Sequence, residues 1–199
     1  DWSSDVCSSD LTAGLGYFFT NDKLHRWHQL SGEPNVLSGL KRSLHAPLVN
    51  DPGTAWEYGV NTDWLGLVVE KVTGHNLGLV LRERIYDPLG MRDSSFMPSE
   101  EQSARLLRVM QRQGDGSLAP AELGMPAPSE WDAGGHGSYG TVQDYGKFVQ
   151  AWLNDGAGLL QPATARLALQ NHIGAIQLPA VMKSTEPALS NDVPRSEEH

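Results

Sequence analysis

The 199-residue chain carries 24 acidic and 15 basic side chains, which give it a net charge of −9. It contains no basic run or arginine-rich stripe, so a nucleic acid or an anionic membrane is disfavoured as its partner. Its mean hydropathy is −0.37, and no apolar run is long enough to span a bilayer. The length is typical of one domain with a sizeable core.

The two ends of the chain are related to each other. A coding sequence for Val6–Leu11, reverse-complemented and read in another frame, encodes Arg-Ser-Glu-Glu-His, the last five residues. A sequencing adapter ligated to both ends of a DNA fragment produces this relation. We therefore predict that 1–11 and 195–199 are adapter-derived tails and that 12–194 are part of a natural domain.

Removing the tails changes the composition. They hold five acidic residues and one arginine, a net charge of −4, which leaves −5 for residues 12–194. Cys7, the only cysteine, also lies in the first tail. The remaining part therefore has no thiol for catalysis, a disulfide or a metal site.

Hydrophobic periodicity and turn residues predict the elements in chain order. The segment 21–34 is interpreted as a polar stretch that ends in turn residues. Helices are predicted over 35–44, from 61 or 62 to 73, over 77–86 before Pro88 and Gly90, from 142 to 154, and from 162 to 171. A hairpin or an irregular excursion is predicted in 111–120, and 173–194 contains strand-like pieces without a definite assignment.

Short polar residues and glycines are expected to begin and end these helices. Asn61 or Thr62 is predicted to cap the second helix, Asn76 the third and Thr141 the fourth, while Gly74 ends the second. The fourth helix has a predicted apolar face, formed by Val142, Tyr145, Phe148, Val149 and Trp152.

Several patterns that carry chemistry are absent. His25 and His28 could share a helix face, but no H-E-x-x-H motif or suitably spaced carboxylate accompanies them, so a metal site is disfavoured. Ser138 does not lie in a G-x-S-x-G nucleophile elbow, because His136 occupies the first glycine position. No phosphate-binding loop or dinucleotide fingerprint is present, and no cofactor is predicted.

One S-x-x-K pattern, "SGLK", runs from Ser38 to Lys41. On a helix it places a hydroxyl and an amine on neighbouring turns, where a lysine of lowered pKa can accept the serine proton. Arg42 follows directly, and this doubled positive charge indicates a solvated face rather than a dry pocket. Ser38 is therefore disfavoured as a nucleophile.

Four longer segments carry a family resemblance: "PGTAWEY", "WLGLVVEKVTG", "IYDPLGMRDSSF" and "GGHGSYGTVQDYGKF". They resemble, in order and spacing, successive blocks of the serine beta-lactamase-like hydrolases, which include class C beta-lactamases, DD-peptidases and family VIII carboxylesterases. The resemblance implies an α+β fold of the beta-lactamase/transpeptidase type, an antiparallel sheet with helices plus a helical domain. The present chain is expected to be mostly helical and to lack much of that sheet.

The family uses an S-x-x-K serine, a second motif that begins with tyrosine, and a third motif on a strand. By this resemblance Tyr58 is the tyrosine of the second motif and is expected to be catalytic. The block order implies that the nucleophile lies upstream of "TAGLGYFF" and that the third motif follows Pro194, so both lie outside this chain. Alternatively, Tyr58 is an aromatic that only packs after a Pro-Gly turn.

Three other residues are candidates for substrate binding. Class C beta-lactamases have an asparagine two residues after the tyrosine, whereas this chain has Val60 there and Asn61 one position later, a rotation of about 100° on a helix. Losing that amide favours ester substrates. In "GGHGSYG", either the glycines only permit a tight turn, or His136 and Tyr139 face the substrate at the rim of an acyl pocket.

These observations predict a fragment of a serine hydrolase, specifically a carboxylesterase that uses an acyl-serine intermediate and no cofactor. Its predicted partner is a small-molecule ester or amide, with no nucleic acid and no membrane segment. A beta-lactamase or DD-peptidase of the same fold, and a non-catalytic binding member, are the alternatives. The 199-residue chain itself is expected to be inactive and poorly soluble, with exposed apolar helix faces.

Overall fold

The computed structural model describes residues 11–121, 129–182 and 191–192. Its α-helices are α1 (Asp22–Ser31), α2 (Asn61–Thr73), α3 (Leu77–Leu81), α4 (Asp87–Leu89), α5 (Glu100–Ser103), α6 (Val142–Leu153) and α7 (Pro162–Ala168). Two antiparallel pairs complete the described elements: β1 (Met110–Arg112) with β2 (Leu118–Pro120), and β3 (Val181–Met182) with β4 (Asn191–Asp192). Of the two alternatives for 111–120, a hairpin and an irregular excursion, the structure shows the hairpin.

Most of the predicted helix ends are confirmed. The Asn76 side chain accepts from the Leu79 N–H at the start of α3, and Thr141 caps α6 in the same way. Gly74 ends α2 in the left-handed conformation, with φ of 73°. The last helix begins at Pro162 as predicted and ends three residues before the predicted boundary.

The predicted cap of α2 is wrong. Val60 occupies the cap position and offers no side-chain hydrogen bond. Asn61 is already helical, and its side-chain amide donates to the carbonyl oxygens of Leu15 (3.1 Å) and Glu57 (3.4 Å). Its polar side chain therefore joins two chain segments instead of closing the helix end.

The predicted helix over 35–44 is also wrong. Two 3₁₀ turns, Val36–Ser38 and Lys41–His45, replace it. Gly39 lies between them with φ of 72°, a left-handed conformation that an α-helix cannot continue through.

Two other boundaries differ from the predictions. Segment 22–31 is helical, because Asn21 caps α1 through the Lys23 and Leu24 N–H groups and Gly32 ends it. The helix predicted to end at 86 passes through a π-helical turn, Arg82–Tyr86, into α4. This wider turn accommodates Pro88, which lacks an N–H, and Gly90 then ends the helix.

The main core lies where the N-terminal segment, the start of α2 and the chain before α6 meet. Its buried residues are Tyr17, Val36, Leu44, Val60, Trp131 and Ala133. Leu44 is only 1% exposed, and its carbonyl oxygen accepts from the indole of Trp64 on α2 at 3.2 Å. This core supports the segment that carries Tyr58.

Candidate active site

The backbone of Tyr58 is held against the segment Leu15–Tyr17. The Tyr17 N–H donates to the Tyr58 carbonyl oxygen at 3.3 Å, and the Thr20 hydroxyl approaches the same oxygen at 3.4 Å. The two segments are so close at Gly59 that an added Cβ would lie 1.9 Å from the Leu15 carbonyl oxygen. A glycine is therefore required beside Tyr58 by close approach of the two chains.

The side chain of Tyr58 is 36% exposed and contacts two aromatic rings. It stacks on Trp56 at a centroid distance of 6.4 Å and meets Tyr17 edge-on at 5.1 Å. Within 11–121 and 129–180, its hydroxyl takes part in no hydrogen bond. The rings thus fix the direction of the phenol, and its hydroxyl remains available to another group.

Tyr17 behaves differently from Tyr58. It is buried, and its hydroxyl donates to Asp63 Oδ2 at 3.2 Å. Burial, followed by the charge of Asp63 and the proximity of Tyr58, raises the pKa of Tyr17 above its usual value. Tyr17 is therefore a neutral hydrogen-bond donor at physiological pH and not a catalytic base.

The carboxylate of Asp63 also binds the "GGHG" loop, residues 134–137. Its Oδ1 accepts from the Gly135 N–H at 2.8 Å. A Cβ at Gly134 would lie 2.4 Å from the Thr62 carbonyl oxygen, and one at Gly135 would lie 2.7 Å from the Tyr17 hydroxyl. These glycines are needed because the loop touches the start of α2.

His136 turns toward the interior. Its Nδ1 lies 3.6 Å from Asp63 Oδ1, and its ring meets Trp131 edge-on at 6.1 Å. Its Nε2 is buried and has no hydrogen-bond partner among the described residues. The loop geometry thus supports the interpretation in which "GGHG" packs tightly, and a substrate contact of His136 stays a prediction.

The other two predicted substrate-binding residues lie in different places. Val60 is 5% exposed and belongs to the core. Tyr139 pairs through its backbone with Ser95 and lines an apolar groove of about 660 Å³ between α6 and the Arg82–Tyr86 turn. Neither Tyr58 nor His136 lines that groove. The structure therefore does not bring Val60 or Tyr139 to the exposed face of Tyr58.

Comparison with known proteins identifies the fold. The profile of the family described as Beta-lactamase matches residues 9–184. The chain belongs to the beta-lactamase family. This confirms the family predicted from the four sequence blocks and, with the structural matches below, the α+β fold of the beta-lactamase/transpeptidase type.

Several relatives in this family are esterases and acyltransferases. Lovastatin esterase from Penicillium rubens is 34% identical over 170 residues, which cover 82% of this chain and 43% of the relative. Monacolin J acid methylbutanoyltransferase from Aspergillus terreus is 34% identical over 167 residues, which cover 80% of this chain and 40% of the relative. A mutant simvastatin synthase from Aspergillus terreus superposes with a TM-score of 0.69 at 31% identity. The superposition covers 85% of this chain and 41% of the synthase. The beta-lactamase-family chain thus spans about four tenths of these relatives' length.

The S-x-x-K pattern inside this beta-lactamase-family chain does not form a catalytic pair. Gly39 separates the two turns that carry Ser38 and Lys41. The Lys41 ammonium lies 3.8 Å from the Glu70 carboxylate, and the Ser38 hydroxyl accepts from the Leu40 N–H at 3.3 Å. This arrangement supports the sequence-based prediction that Ser38 is not the nucleophile.

Within the described part of the chain, no three His, Cys, Asp or Glu side chains are grouped so that they could hold a metal ion. His28 Nδ1 lies 3.0 Å from the Glu33 carbonyl oxygen, and His25 Nε2 lies 2.8 Å from the Gln29 amide. None of the helices in 11–121 and 129–182 combines the length and hydrophobicity needed to cross a membrane.

Sequence reasoning missed Asp63 and Tyr17. Asp63 lies between the buried Val60 and the apolar face of α2, and it is 0% exposed. An acidic residue in the first turn of a helix is favoured by the free N–H groups there, so its type and position are compatible with a structural role. The burial of Asp63 and its partners, which lie 46 and 72 residues away, become visible only in the fold.

Proposed function

We propose that the natural protein is a carboxylesterase of the beta-lactamase family, in which Tyr58 takes part in proton transfer. One observation carries the proposal: Tyr58, the second-motif tyrosine by resemblance, is 36% exposed, is oriented by two rings, and has a hydroxyl with no hydrogen-bond partner among the described residues. The esterase and acyltransferase activities named for the relatives support the same reaction class.

The proposed chemistry proceeds in two halves. A serine Oγ attacks the ester carbonyl carbon, loses its proton to the lysine and tyrosine pair, and forms a tetrahedral oxyanion held by backbone N–H groups. Collapse breaks the bond to the alcohol oxygen, which leaves with that proton and gives an acyl-serine. Water then attacks the acyl carbon by the same route and releases the acid and the free serine.

Tyr58 needs a cationic neighbour to act in this way. A free phenol has a pKa of about 10, so it is protonated at neutral pH unless an ammonium group stabilises the phenolate. The described ring contacts of the Tyr58 side chain are with Trp56 and Tyr17, neither of which carries a positive charge. We propose that the lysine of an S-x-x-K motif outside these 199 residues supplies this charge and that its serine is the nucleophile.

The surface of α6 supports the proposal that further chain packs on this fragment. Part of its predicted apolar face is exposed: Val142 is 87%, Tyr145 66% and Val149 41% exposed. These three residues follow helical spacing and form one stripe along α6. Water contact along a whole apolar stripe is unfavourable, so covering it by the rest of the domain would stabilise the protein.

Acyl transfer is a second candidate, since one relative is named a methylbutanoyltransferase. Both reactions share the acyl-serine and differ in the second nucleophile, which is water in hydrolysis and an alcohol in transfer. Adding an alcohol such as butanol to an ester assay separates them, because a transferase forms the new ester in preference to the acid.

The decisive experiment uses the full-length protein that contains residues 12–194. It is expected to hydrolyse p-nitrophenyl butyrate, and Tyr58→Phe is expected to lower kcat by about 10²- to 10⁴-fold, since the phenolic proton-transfer group is lost. Tyr145→Phe makes the same substitution on α6, where the ring contacts Phe148 and not Tyr58, and is the matched control.

Three outcomes distinguish the alternatives. Hydrolysis of nitrocefin in preference to the ester supports a beta-lactamase. No hydrolysis of any ester or beta-lactam supports a binding member of the family. Full activity of Tyr58→Phe would exclude the proposed role of this residue.

A further inference from the structure

Asp63 contacts both Tyr17 and the "GGHG" loop. Its carboxylate accepts from Tyr17, whose ring packs on Tyr58, and from the backbone of the "GGHG" loop. The residue is 0% exposed. A buried carboxylate is costly unless it is hydrogen-bonded, so these contacts determine where it lies.

We propose that Asp63 is a positioning residue, whose buried carboxylate joins Tyr17 and the "GGHG" loop into one rigid support for Tyr58. The inference rests on the proposed function of Tyr58. It assigns Asp63 no contact with substrate and no share in proton transfer.

The first half of the support is the Tyr17 ring. The Tyr17 hydroxyl donates a hydrogen bond to Asp63 Oδ2 at 3.2 Å, and the Tyr17 backbone N–H donates to the Tyr58 carbonyl oxygen at 3.3 Å. With both ends held, the ring cannot rotate away from Tyr58, which it meets edge-on at 5.1 Å. The raised pKa of Tyr17 keeps the donating proton in place.

The second half is the loop. Gly135 donates to Asp63 Oδ1 at 2.8 Å, and the His136 Nδ1 lies 3.6 Å from the same oxygen. The position of a Cβ at Gly135 would be 2.7 Å from the Tyr17 hydroxyl and 2.9 Å from Asp63 Oδ2, so the loop backbone touches both partners. Asp63 itself lies in the first turn of α2, where free N–H groups favour a negative charge.

Asp144 provides a matched control for the role of Asp63. It too is a buried aspartate in the first turn of a helix, and it accepts from the Asp93 N–H at 2.7 Å. Its other partners are Ser94 and Lys147, and none of them contacts Tyr58. Loss of Asp144 therefore removes an equivalent structural acid without disturbing the support of Tyr58.

The test compares Tyr17→Phe, Asp63→Ala, Asp63→Asn and Asp144→Ala in the full-length protein, at a temperature where each is folded. Tyr17→Phe keeps the ring and removes one hydrogen bond; kcat is expected to fall about five-fold at unchanged KM. Asp63→Ala is expected to lower kcat by at least about ten-fold, because small misplacements of catalytic groups are costly. Asp63→Asn can still accept from the Gly135 N–H through Oδ1 and can donate from Nδ2 to the Tyr17 hydroxyl oxygen, so it is expected to recover most of this loss.

Asp144→Ala is expected to lower the melting temperature and leave kcat unchanged. Equal kcat losses in Asp63→Ala and Asp144→Ala, or a wild-type kcat in folded Asp63→Ala, would overturn the inference. A failure of Asp63→Asn to recover activity would also overturn it, since that result would show that activity depends on the negative charge of Asp63 and not on its hydrogen bonds.

Hydrogen exchange gives a readout that does not depend on activity. Tyr17→Phe is expected to speed exchange in the peptide that contains Gly135 by about five-fold, because the carboxylate loses one of its two anchors. Unchanged exchange would contradict the coupling. An inactive wild-type protein would refute the proposed function alone, and the exchange experiment would still decide whether Asp63 couples the two segments.

Discussion

Replacing Gly59 by alanine tests whether the close pairing of two segments holds Tyr58. The new Cβ would lie 1.9 Å from the Leu15 carbonyl oxygen and 2.5 Å from Gly16 Cα, whereas Cβ contacts under 3.0 Å essentially do not occur. The segments must therefore separate by about 1 Å. That shift stretches the Tyr17–Tyr58 backbone hydrogen bond, already 3.3 Å long, beyond bonding distance.

The expected cost follows from these contacts. Overpacking costs about 1–3 kcal/mol. Two hydrogen bonds cross the pairing, from the Tyr17 N–H to the Tyr58 carbonyl oxygen and from the Asn61 amide to the Leu15 carbonyl oxygen, and each contributes about 1 kcal/mol. Gly59→Ala should therefore destabilise the full-length protein by about 3–5 kcal/mol. Urea unfolding followed by tryptophan fluorescence measures this as a lower midpoint.

Gly114→Ala is the matched control for this substitution. Gly114 has no heavy atom within 4 Å of its Cβ position, and its φ is not in the left-handed range. The same alanine substitution there should leave stability unchanged or raise it by about 0.4–1 kcal/mol. An unfolding midpoint of Gly59→Ala at or above that of the wild type would refute the reasoning.

Two further predictions concern acid stability and the isolated chain. Burial opposes ionisation of Asp144, but its hydrogen bonds, foremost that from Lys147, outweigh burial and hold its pKa below the usual value. Its ionised form therefore stabilises the fold above the unfolded-state pKa of about 3.9, and that stability is lost as pH falls through the lower folded pKa. Asp144→Asn should lose less stability than wild type between about pH 5 and pH 2 in acid unfolding, and equal losses would contradict this. The 199-residue chain should be poorly soluble and hydrolyse no p-nitrophenyl butyrate; hydrolysis that disappears in Ser38→Ala would overturn this expectation and the rejection of Ser38.

Local sequence signals predicted the elements that depend on local contacts. Asn76 and Thr141 cap their helices through residues three positions away, and a short polar residue before an apolar run is sufficient to indicate this. The helix over 35–44 failed for a related reason. A short helix was predicted before the proline-containing segment that follows, but Gly39 adopts a left-handed conformation that breaks 35–44 into two turns.

The candidate site was only partly predictable for a different reason. Tyr58 was found because its motif is continuous in sequence, and a family resemblance can recognise such a block. Tyr17, Asp63 and Gly135 meet through contacts that cross 46 and 72 residues. No periodicity or capping signal encodes which loop reaches a buried carboxylate, so this support could be seen only in three dimensions.

The proposed preference for esters gains a structural argument from Val60 and Asn61. Val60 lies in the core, so the position two residues after Tyr58 offers no polar group to a substrate at the exposed phenol. The next residue cannot replace it, because Asn61 is 0% exposed and its amide donates to the Leu15 carbonyl oxygen. Turning that amide outward would leave a buried carbonyl without its donor, at a cost of about 1–3 kcal/mol. We infer that the side-chain amide of Asn61 stabilises the pairing between the Leu15 and Tyr58 segments. It is therefore not available to bind a lactam or peptide carbonyl.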